Sequence, residues 1–436
     1  MRYFRAVVFC CAFFVTGAAS AQEVFTLEES IAFAMEKNYD IRIAKNNTAI
    51  SETETELLNS GYLPRVSASG GASYSDENQS VTFADGNSAD VSGAITESYN
   101  ASITAEYTLF DGLERKFGNN RRKEVLLLSQ LQERQEIENT IIKIHENYFN
   151  VAFQKQVVEN LKINIKNSTD RLIRAQKRLK YGQGTTLDEL NARVDLNNDS
   201  IAYANALRDL NNFKRNFNLV IGREVTVGFV TDTTVNFSPV PERDSLLESS
   251  KYNNIQLVLA DQNILMSELD IKINRAKLLP KINGSGSYRW NESQNPPTSF
   301  ALANESSGIN LGLNLSWNIF DGGSNATRVK TAKITKRNRE IELERVREQV
   351  RTEVLNAYET YTIAEYTLEA ERKNVKTNEL NFSRTQKQYS LGQITTVEFR
   401  QAQINLFNAL NNYARAKYDL KIAEVNLFQL AGSLLG

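Results

Sequence analysis

The segments YNASITAEYTLFDG (residues 99–112) and INLGLNLSWNIFDG (residues 309–322) decide the fold class. In both, apolar and polar residues alternate up to a Phe-Asp-Gly motif, which predicts a β-strand with one apolar and one polar face. Weaker runs with the same alternation follow Pro64 and Pro280, at residues 66–74 and 282–290. The chain therefore contains two predicted pairs of strands.

The two strand pairs belong to an internal duplication. An offset of 210 in residue number aligns Phe110-Asp111-Gly112 with Phe320-Asp321-Gly322 and continues without a gap to Gly222 and Gly432. Upstream the offset becomes 216 and pairs Asn38 with Asn254. The difference between the two offsets arises between the prolines and the Phe-Asp-Gly motifs, so we assign it to a loop, because loops tolerate changes in length.

The strands are compatible with two environments. Such a sheet could pack on the core of a soluble protein. Alternatively, each predicted strand has about 10 residues, the length that crosses a bilayer when tilted, and Trp290 and Trp317 lie near strand ends, where aromatic girdles occur. The polar segments 77–98 and 291–308 are predicted to be exposed loops.

The helical regions follow each Phe-Asp-Gly motif. Residues 324–390 contain neither Gly nor Pro and predict one helix about 100 Å long. Asp111 and Asp321 are predicted N-caps. Apolar residues of the last segment recur in steps of four and three, which indicates a coiled-coil seam; they include Ala402, Leu406, Ala409, Tyr413, Ala416, Leu420 and Ala423.

Two turns, YGQGTTLDEL (181–190) and LGQITTVEFR (391–400), interrupt the helices. In each, a glycine ends one helix and a Thr-Thr pair begins the next. Thr186 or Thr396 can cap the new helix, and Asp188 and Glu398 suit the positive end of its dipole. Helix-hairpin chemistry alone could explain all of these residues.

The N-terminus and the composition restrict the function. Residues 1–21 have the basic start, short apolar run and Ala-Ser-Ala end of a secretory signal peptide, and both cysteines lie within it. With 51 Lys+Arg against 52 Asp+Glu, the chain lacks the charge excess of a nucleic-acid binder. A single histidine, His145, disfavours His/Cys metal sites and is predicted to be a packing residue. No enzyme and no cofactor is expected.

Four membrane strands cannot close a barrel. Open edges in lipid leave backbone groups unpaired at a cost of several kcal/mol each. The chain must therefore oligomerise through its sheet edges, and three copies would leave room for a lumen.

At this point the sequence resembles the TolC-like outer-membrane efflux proteins over the whole mature chain. The resemblance rests on the duplicated Pro–strand–loop–strand–Phe-Asp-Gly blocks and on the Gly-x-x-Thr-Thr-x-acid turns at 182–188 and 392–398. It implies a mainly α protein with membrane β-strands, in which a trimer forms a 12-stranded β-barrel continued by a periplasmic α-helical barrel.

The resemblance also implies partners and site residues. A periplasmic adaptor and an inner-membrane pump of the RND or ABC type would dock on the closed tip of the helical barrel, and the chain would be an exit duct for efflux or type I secretion. Tip residues expected to contact the adaptor are Tyr181, Gly182, Thr185, Leu391, Gly392 and Thr395. Residues expected to constrict the pore are Asp188, Asn191, Glu398 and Gln401. Because a drug-efflux member has two aspartates where this chain has Glu398 and Gln401, a single acidic ring is expected.

The expected domain boundaries follow from the duplication. The first repeat covers 22–222, with a hairpin at about 65–110 and a helical hairpin at about 112–222. Residues 223–242 form a linker, or equatorial segment. The second repeat covers 243–436, with corresponding hairpins at about 281–320 and 322–432. The alternative function is a soluble periplasmic coiled-coil scaffold or adaptor that uses the same helices.

Overall fold

The structure, a computed structural model, describes residues 24–435. The predicted signal peptide, residues 1–21, lies outside the described residues. The helices are α1 (Leu27–Lys37), α2 (Tyr39–Thr55), α3 (Glu114–Lys180), α4 (Thr186–Ile221), α5 (Arg243–Asn253), α6 (Ile255–Ala276), α7 (Ser324–Ser390) and α8 (Thr396–Ala431). The strands are β1 (Val24–Phe25), β2 (Arg65–Thr82), β3 (Ser88–Phe110), β4 (Val230–Thr231), β5 (Lys281–Gln294) and β6 (Ala303–Ser316).

The duplication is visible in the helices. α3 and α7 have 67 residues each, and α4 and α8 have 36 each. Both pairs are related by the same offset in residue number as the two Phe-Asp-Gly motifs. The predicted helix over 324–390 is confirmed. Among the described residues, none of the helices has an apolar stretch long enough to span a membrane.

The chain divides into two units. One, the turn unit, contains residues 24–39, Asn139–Val240 and Glu359–Asn426; the other, the sheet unit, contains Asp40–Glu138, Pro241–Tyr358 and residues 427–435. The core of the turn unit consists of aromatic and aliphatic side chains from α1, α3, α4, α8 and the linker; its larger members are Ile144, Tyr148, Phe149, Phe217, Ile221, Phe229 and Tyr418. His145 is buried at the edge of this core and its Nδ1 donates to the carbonyl of Ile141 at 2.8 Å, as expected of a packing residue.

One tyrosine of the turn unit connects the linker to the N-terminal strand. The hydroxyl of Tyr148 on α3 donates to the carbonyl of Phe25 at 3.1 Å and accepts from the backbone N–H of Asp232 at 2.9 Å. These residues end β1 and follow β4, which pair in parallel. Burial raises the pKa of Tyr148 to about 12. The neutral hydroxyl therefore joins the N-terminal strand to the linker.

The sheet unit contains one four-stranded antiparallel sheet in the order β2-β3-β5-β6. The register of this sheet aligns apolar residues with apolar residues, and polar residues with polar residues, across all four strands. One row on the apolar face consists of Ala68, Ile103, Tyr288 and Ile309, and the adjacent row on the opposite face consists of Ser67, Thr104, Ser287 and Asn310. The predicted two-faced strands are confirmed. The alternation, however, predicted a strand that continues to residue 319, whereas β6 ends at Ser316 and Trp317 follows it.

The strands are longer than predicted. β2 and β3 have 18 and 23 residues, and β5 and β6 have 14 each. Segments 77–98 and 291–308 are therefore mostly strand, and the loop prediction was wrong except at 83–87 and 295–302. The extra length of the first repeat lies in the strands of its β-hairpin rather than in the loop between them. Polar composition misled the prediction because Ser, Thr and Asn side chains on exposed strands do not prevent a continuous backbone ladder.

The helix starts after Phe-Asp-Gly also differ from prediction. α3 begins at Glu114, so Asp111 is not the N-cap residue, yet its Oδ2 accepts from the backbone N–H of Arg115 at 3.2 Å. Asp321 accepts from Asn325 in the same way at 2.8 Å. The aspartates therefore satisfy helix N–H groups from outside the helix.

The helical segment before each β-hairpin is divided into two helices, α1 and α2 in the first repeat and α5 and α6 in the second. The sequence analysis did not predict this division. In the turn unit, the break lies at Asn38, whose side-chain Nδ2 donates to the carbonyl of Val220 at 2.6 Å. Gly222 ends α4 at φ 76°, and a Cβ there would lie 2.3 Å from the carbonyl oxygen of Lys37. The repeat-related residues Asn254, Leu430 and Gly432 form the same arrangement in the sheet unit.

Candidate functional site

The two helix turns of the turn unit are built by the same backbone motif. Gly182 has φ 70°, and the N–H groups of Gln183 and Gly182 donate to the carbonyls of Arg178 and Leu179 at 2.8 and 3.1 Å. This is a Schellman motif, in which the left-handed residue is normally glycine. Gly392, with φ 73°, repeats it. A Cβ on either glycine would meet no atom within 4 Å, so the requirement is conformational.

Each turn then starts the next helix with a capping box. Thr185 Oγ1 accepts from the backbone N–H of Asp188 at 3.1 Å, and the Asp188 carboxylate accepts from the Thr185 backbone N–H at 3.2 Å. Thr395 and Glu398 do the same at 3.2 and 2.8 Å. The first threonine of each pair is thus the N-cap, and the prediction of Thr186 or Thr396 was wrong, because only a residue three positions before the acid can form the reciprocal bonds.

The two carboxylates are held in ionised form. Hydrogen bonds from the hydroxyl and backbone N–H of Thr185 lower the pKa of Asp188. The backbone N–H and hydroxyl of Thr395 lower the pKa of Glu398. The acids predicted to face the pore therefore carry a local structural role within each chain, as the helix-hairpin interpretation requires.

The remaining predicted residues are accessible on the same turns. Asn191 and Gln401, three residues beyond the acids, are exposed. The Gln401 amide donates to Asn405 Oδ1 at 2.8 Å. Tyr181 and Leu391 are 73% and 71% exposed.

Two further apolar residues on these turns were not predicted. Leu187 and Val397 occupy equivalent positions in the two repeats and are 65% and 74% exposed. Each turn therefore has two exposed apolar side chains, Tyr181 and Leu187 in the first turn and Leu391 and Val397 in the second.

A charge network beyond the turns was also missed. The guanidinium of Arg400 on α8 donates to both carboxylate oxygens of Asp199 on α4, at 2.6 and 2.9 Å. Ser168 on α3 donates to Asp199 as well, at 2.5 Å. Arg171 on α3 donates to Asp195 at 2.5 Å, and its side chain is 1% exposed. We call these five residues the charge network; it joins α3, α4 and α8.

The duplication contains a signal for this network. The repeat offset places neutral residues at the four charged positions: Leu190 for Arg400, Ala409 for Asp199, Asn405 for Asp195 and Asn381 for Arg171. Asp199 in particular takes the place of Ala409, a residue of the predicted seam, and a charge at a seam position in only one copy would have indicated a specific contact. Beside the network, the rings of Tyr389 and Phe399 stack at 4.7 Å between centroids.

Among residues 24–435, no group of three His, Cys, Asp or Glu side chains is arranged to hold a metal ion. The site consists of exposed apolar side chains on the two turns, the acids of the two capping boxes and the charge network. The duplicated helical hairpins and the two-faced sheet are the features expected of the fold class of a channel-forming outer-membrane protein.

The comparisons with known proteins give the family. The model of the outer membrane efflux protein family matches residues 31–223 and 246–433, and the chain belongs to that family. Among its relatives, the outer membrane efflux protein BepC of Brucella suis biovar 1 is 21% identical, over 96% of this chain and 88% of BepC. The alkaline protease secretion protein AprF of Pseudomonas aeruginosa is 22% identical, over 93% of this chain and 86% of AprF.

Solved structures show the same fold. The CmeC outer membrane channel of Campylobacter jejuni matches with a TM-score of 0.77 at 14% identity, covering 94% of this chain and 86% of that chain. The open state of the MtrE outer membrane channel of Neisseria gonorrhoeae matches with a TM-score of 0.72 at 16% identity, over 94% and 89%. The expected family, fold class and outer-membrane location are confirmed, and the alternative of a soluble scaffold was wrong.

The family consists of transport channels rather than enzymes. This protein is an outer-membrane channel that serves efflux or secretion.

Proposed function

We propose that three copies of the chain form a duct across the outer membrane, which completes a tripartite efflux or type I secretion system together with a periplasmic adaptor and an inner-membrane pump of the RND or ABC type. In this proposal the sheet contributes four of twelve barrel strands, and the turns at 181–191 and 391–401 form the periplasmic tip. Outer-membrane lipid covers the apolar face of the sheet.

One observation supports the duct above all others: β6 is exposed along its whole length, with a row of large aliphatic side chains on one face. Ile309, Leu311, Leu313 and Leu315 are 65–84% exposed. Burying such a row is worth about 25 cal/mol per Å² of apolar surface, so it requires an apolar environment. The polar row of the sheet, by contrast, is suited to line a water-filled lumen.

The duct is tested by native mass spectrometry in detergent and by planar-bilayer recording. A trimeric mass together with ion conductance is expected. A stable monomer with full β content, or a trimer that never conducts even after the turns are excised, would refute it.

Adaptor binding is proposed at the exposed apolar pairs of the turns. Tyr181 with Leu187, and Leu391 with Val397, offer two similar patches that a helical partner can bury. Photo-cross-linking in living cells tests this proposal, with benzoylphenylalanine placed at Leu187 or Val397. The matched control is Ile201, which lies on the same helix as Leu187 and is equally exposed at 62%.

The adaptor, identified by its lipoyl-like domain sequence, should cross-link from Leu187 and Val397. It should not cross-link from Ile201. Equal yields from all three positions would contradict a contact restricted to the turns.

We also propose that Asp188, Asn191, Glu398 and Gln401 line the constriction of the tip, with the two acids ionised. In a narrow pore, rings of carboxylates attract cations. In each capping box the carboxylate is held by the backbone N–H of the N-cap threonine, which fixes its position on the turn and supports a defined ring.

The capping box permits a clean test. Glu398→Gln removes the charge but keeps the N3 residue type that completes the box, whereas Glu398→Ala removes both. If the ring exists, both variants lower cation selectivity, measured as the reversal potential under a salt gradient. An unchanged reversal potential in Glu398→Gln would leave only the capping role.

Topology follows from the same proposal. The turn at 83–87 faces the cell exterior and the turn at 181–184 faces the periplasm. An epitope inserted at Asn87 should be labelled on intact cells, and one at Gln183 only after the outer membrane is permeabilised. The reverse pattern would overturn the topology.

A further inference from the structure

The two hairpins of the sheet share one register. In the first repeat, Arg65 of β2 pairs with Glu106 of β3. The repeat offsets, 216 for β2 and 210 for β3, convert this pair into Lys281 and Ser316, which pair in β5 and β6. Ser73 and Ser98 map onto the pair Arg289 and Gly308 in the same way. Adding these offsets, which we call the repeat operation, therefore predicts which residues lie opposite one another in this sheet.

The junction between the two halves is the pairing of β3 with β5. Across it, Asn100 lies opposite Asn291, and Ala101 lies opposite Trp290. The repeat offset converts β3 into β6. The pairing equivalent to β3 with β5 would therefore join β6 to the strand that corresponds to β5 in the other repeat. That strand is β2, and within one chain β2 and β6 are the two free edges of the sheet.

We infer that β6 pairs antiparallel with β2 of a neighbouring copy of this chain, in the register that places Asn310 opposite the neighbouring copy's Ser75. This inference rests on the proposed oligomeric duct and adds the residue-level interface. It follows by applying the repeat operation to the observed pair of Asn100 and Asn291, since Asn100 is equivalent to Asn310 and Asn291 is equivalent to Ser75.

The alternation of side chains agrees with this register. It places Leu311 opposite the neighbouring copy's Tyr74 and Leu313 opposite the neighbouring copy's Ala72, all on the apolar face. A slip of one residue would bring each leucine opposite a residue of the polar face, because the side-chain period of a strand is two.

The strand ends agree as well, and they disfavour one of the two slips of two residues that alternation permits. Ala303, the first residue of β6, falls opposite the neighbouring copy's Thr82, the last residue of β2. Every residue of β6 then has a partner within β2. A slip of two in one direction would leave the first two residues of β6 beyond the end of β2.

The free edge of β2 is regular enough to accept this partner. The one irregularity in its pairing with β3 lies between Glu77 and Gln79, opposite Ala94 and Val91. The extra residue is thus in β3, where Gly93 has φ 75°. A bulge in β3 leaves the spacing along β2 unbroken.

Cysteine cross-linking tests the register. Both cysteines of the sequence, Cys10 and Cys11, lie in the predicted signal peptide. Disulfides in the processed chain can therefore form only between the introduced cysteines. Directly opposite residues of antiparallel strands lie about 4.5–5.5 Å apart at Cα, within disulfide range. The double variant Ser75→Cys/Asn310→Cys should give a covalent trimer on a non-reducing gel after mild oxidation, and reductant should abolish it.

Three matched variants are the controls. Asn100→Cys/Asn291→Cys is the observed pair within one chain and should oxidise without forming oligomers. Asn310→Cys with either Ser73→Cys or Glu77→Cys represents slips of two residues; their thiols would lie on a diagonal about 7–8 Å apart, so only background cross-linking is expected.

The outcomes separate the two proposals. A trimeric mass with cross-linking in a slip variant instead of Ser75→Cys/Asn310→Cys would overturn the register and leave the duct intact. The register alone is likewise overturned if the trimer forms, the intrachain control oxidises and no interchain pair cross-links. A monomeric mass with no cross-linking in any interchain pair would overturn the duct itself.

Discussion

The substitution Asp199→Ala should be among the most damaging single changes in the helical region. Asp199 accepts hydrogen bonds from two nitrogens of Arg400 and from Ser168, and its side chain is 8% exposed. The charge network contains two arginines and two aspartates, so its net charge is zero. Removing Asp199 leaves the Arg400 guanidinium, itself 19% exposed, with only a distant contact of 3.9 Å to Asp195.

The expected cost follows from this geometry. Breaking a buried ion pair by removing one partner costs about 3–5 kcal/mol, because the remaining charge is buried without compensation. The control is Asp209→Ala on the same helix, whose partner is the neighbouring Arg208; these side chains are 40% and 64% exposed. Exposed pairs contribute about 0–1 kcal/mol.

The assay is chemical denaturation of the purified protein in detergent, followed by the helical circular dichroism signal. Asp199→Ala should lower the free energy of unfolding by about 3–5 kcal/mol, and Asp209→Ala by less than about 1. The double variant Asp199→Ala/Arg400→Ala should lose less than the sum of the single variants, since the uncompensated charge is then absent. Equal losses for Asp199→Ala and Asp209→Ala would refute the argument.

Three further outcomes are expected. Gly222→Ala should destabilise the protein by about 1–2 kcal/mol for its positive φ plus about 1–3 kcal/mol for the clash with Lys37. Gly182→Ala has open space around the new Cβ and should cost only the first part, so similar losses of unfolding free energy in the two variants would contradict this. Because the pKa of Asp188 is lowered in the folded state, its stabilising contribution is present above about pH 4 and is lost as the pH falls through the lowered value, so Asp188→Asn should flatten the acid side of the thermal-midpoint profile; a parallel profile would count against it. Tyr148→Phe should cost about 1–3 kcal/mol by leaving the Asp232 N–H without its acceptor, whereas the exposed Tyr366→Phe should be neutral in the same denaturation assay.

The duplication and the local signals of the sequence determined much of the fold. The glycines at the turns predicted where α3 and α7 end, since a left-handed residue closes a helix with backbone bonds that need no distant partner. The alternation in 99–110 and 309–319 predicted the faces of β3 and β6 for the same reason, because the order of apolar and polar residues along a strand sets which side chains share a face. These features depend on residues a few positions apart.

Only the tertiary structure decided the features that depend on distant partners. The polar residues 77–82 and 88–98 are strand because β2 and β3 pair, which no local pattern of Ser, Asn and Gly requires. The break at Asn38 exists because the end of α4 meets it. The charge network forms because three helices bring Arg400 and Asp199 together across 201 residues of sequence. A sequence read along one chain contains the charges and the spacing, but the free energy of an ion pair or a strand ladder depends on the distance between its partners, and packing sets that distance.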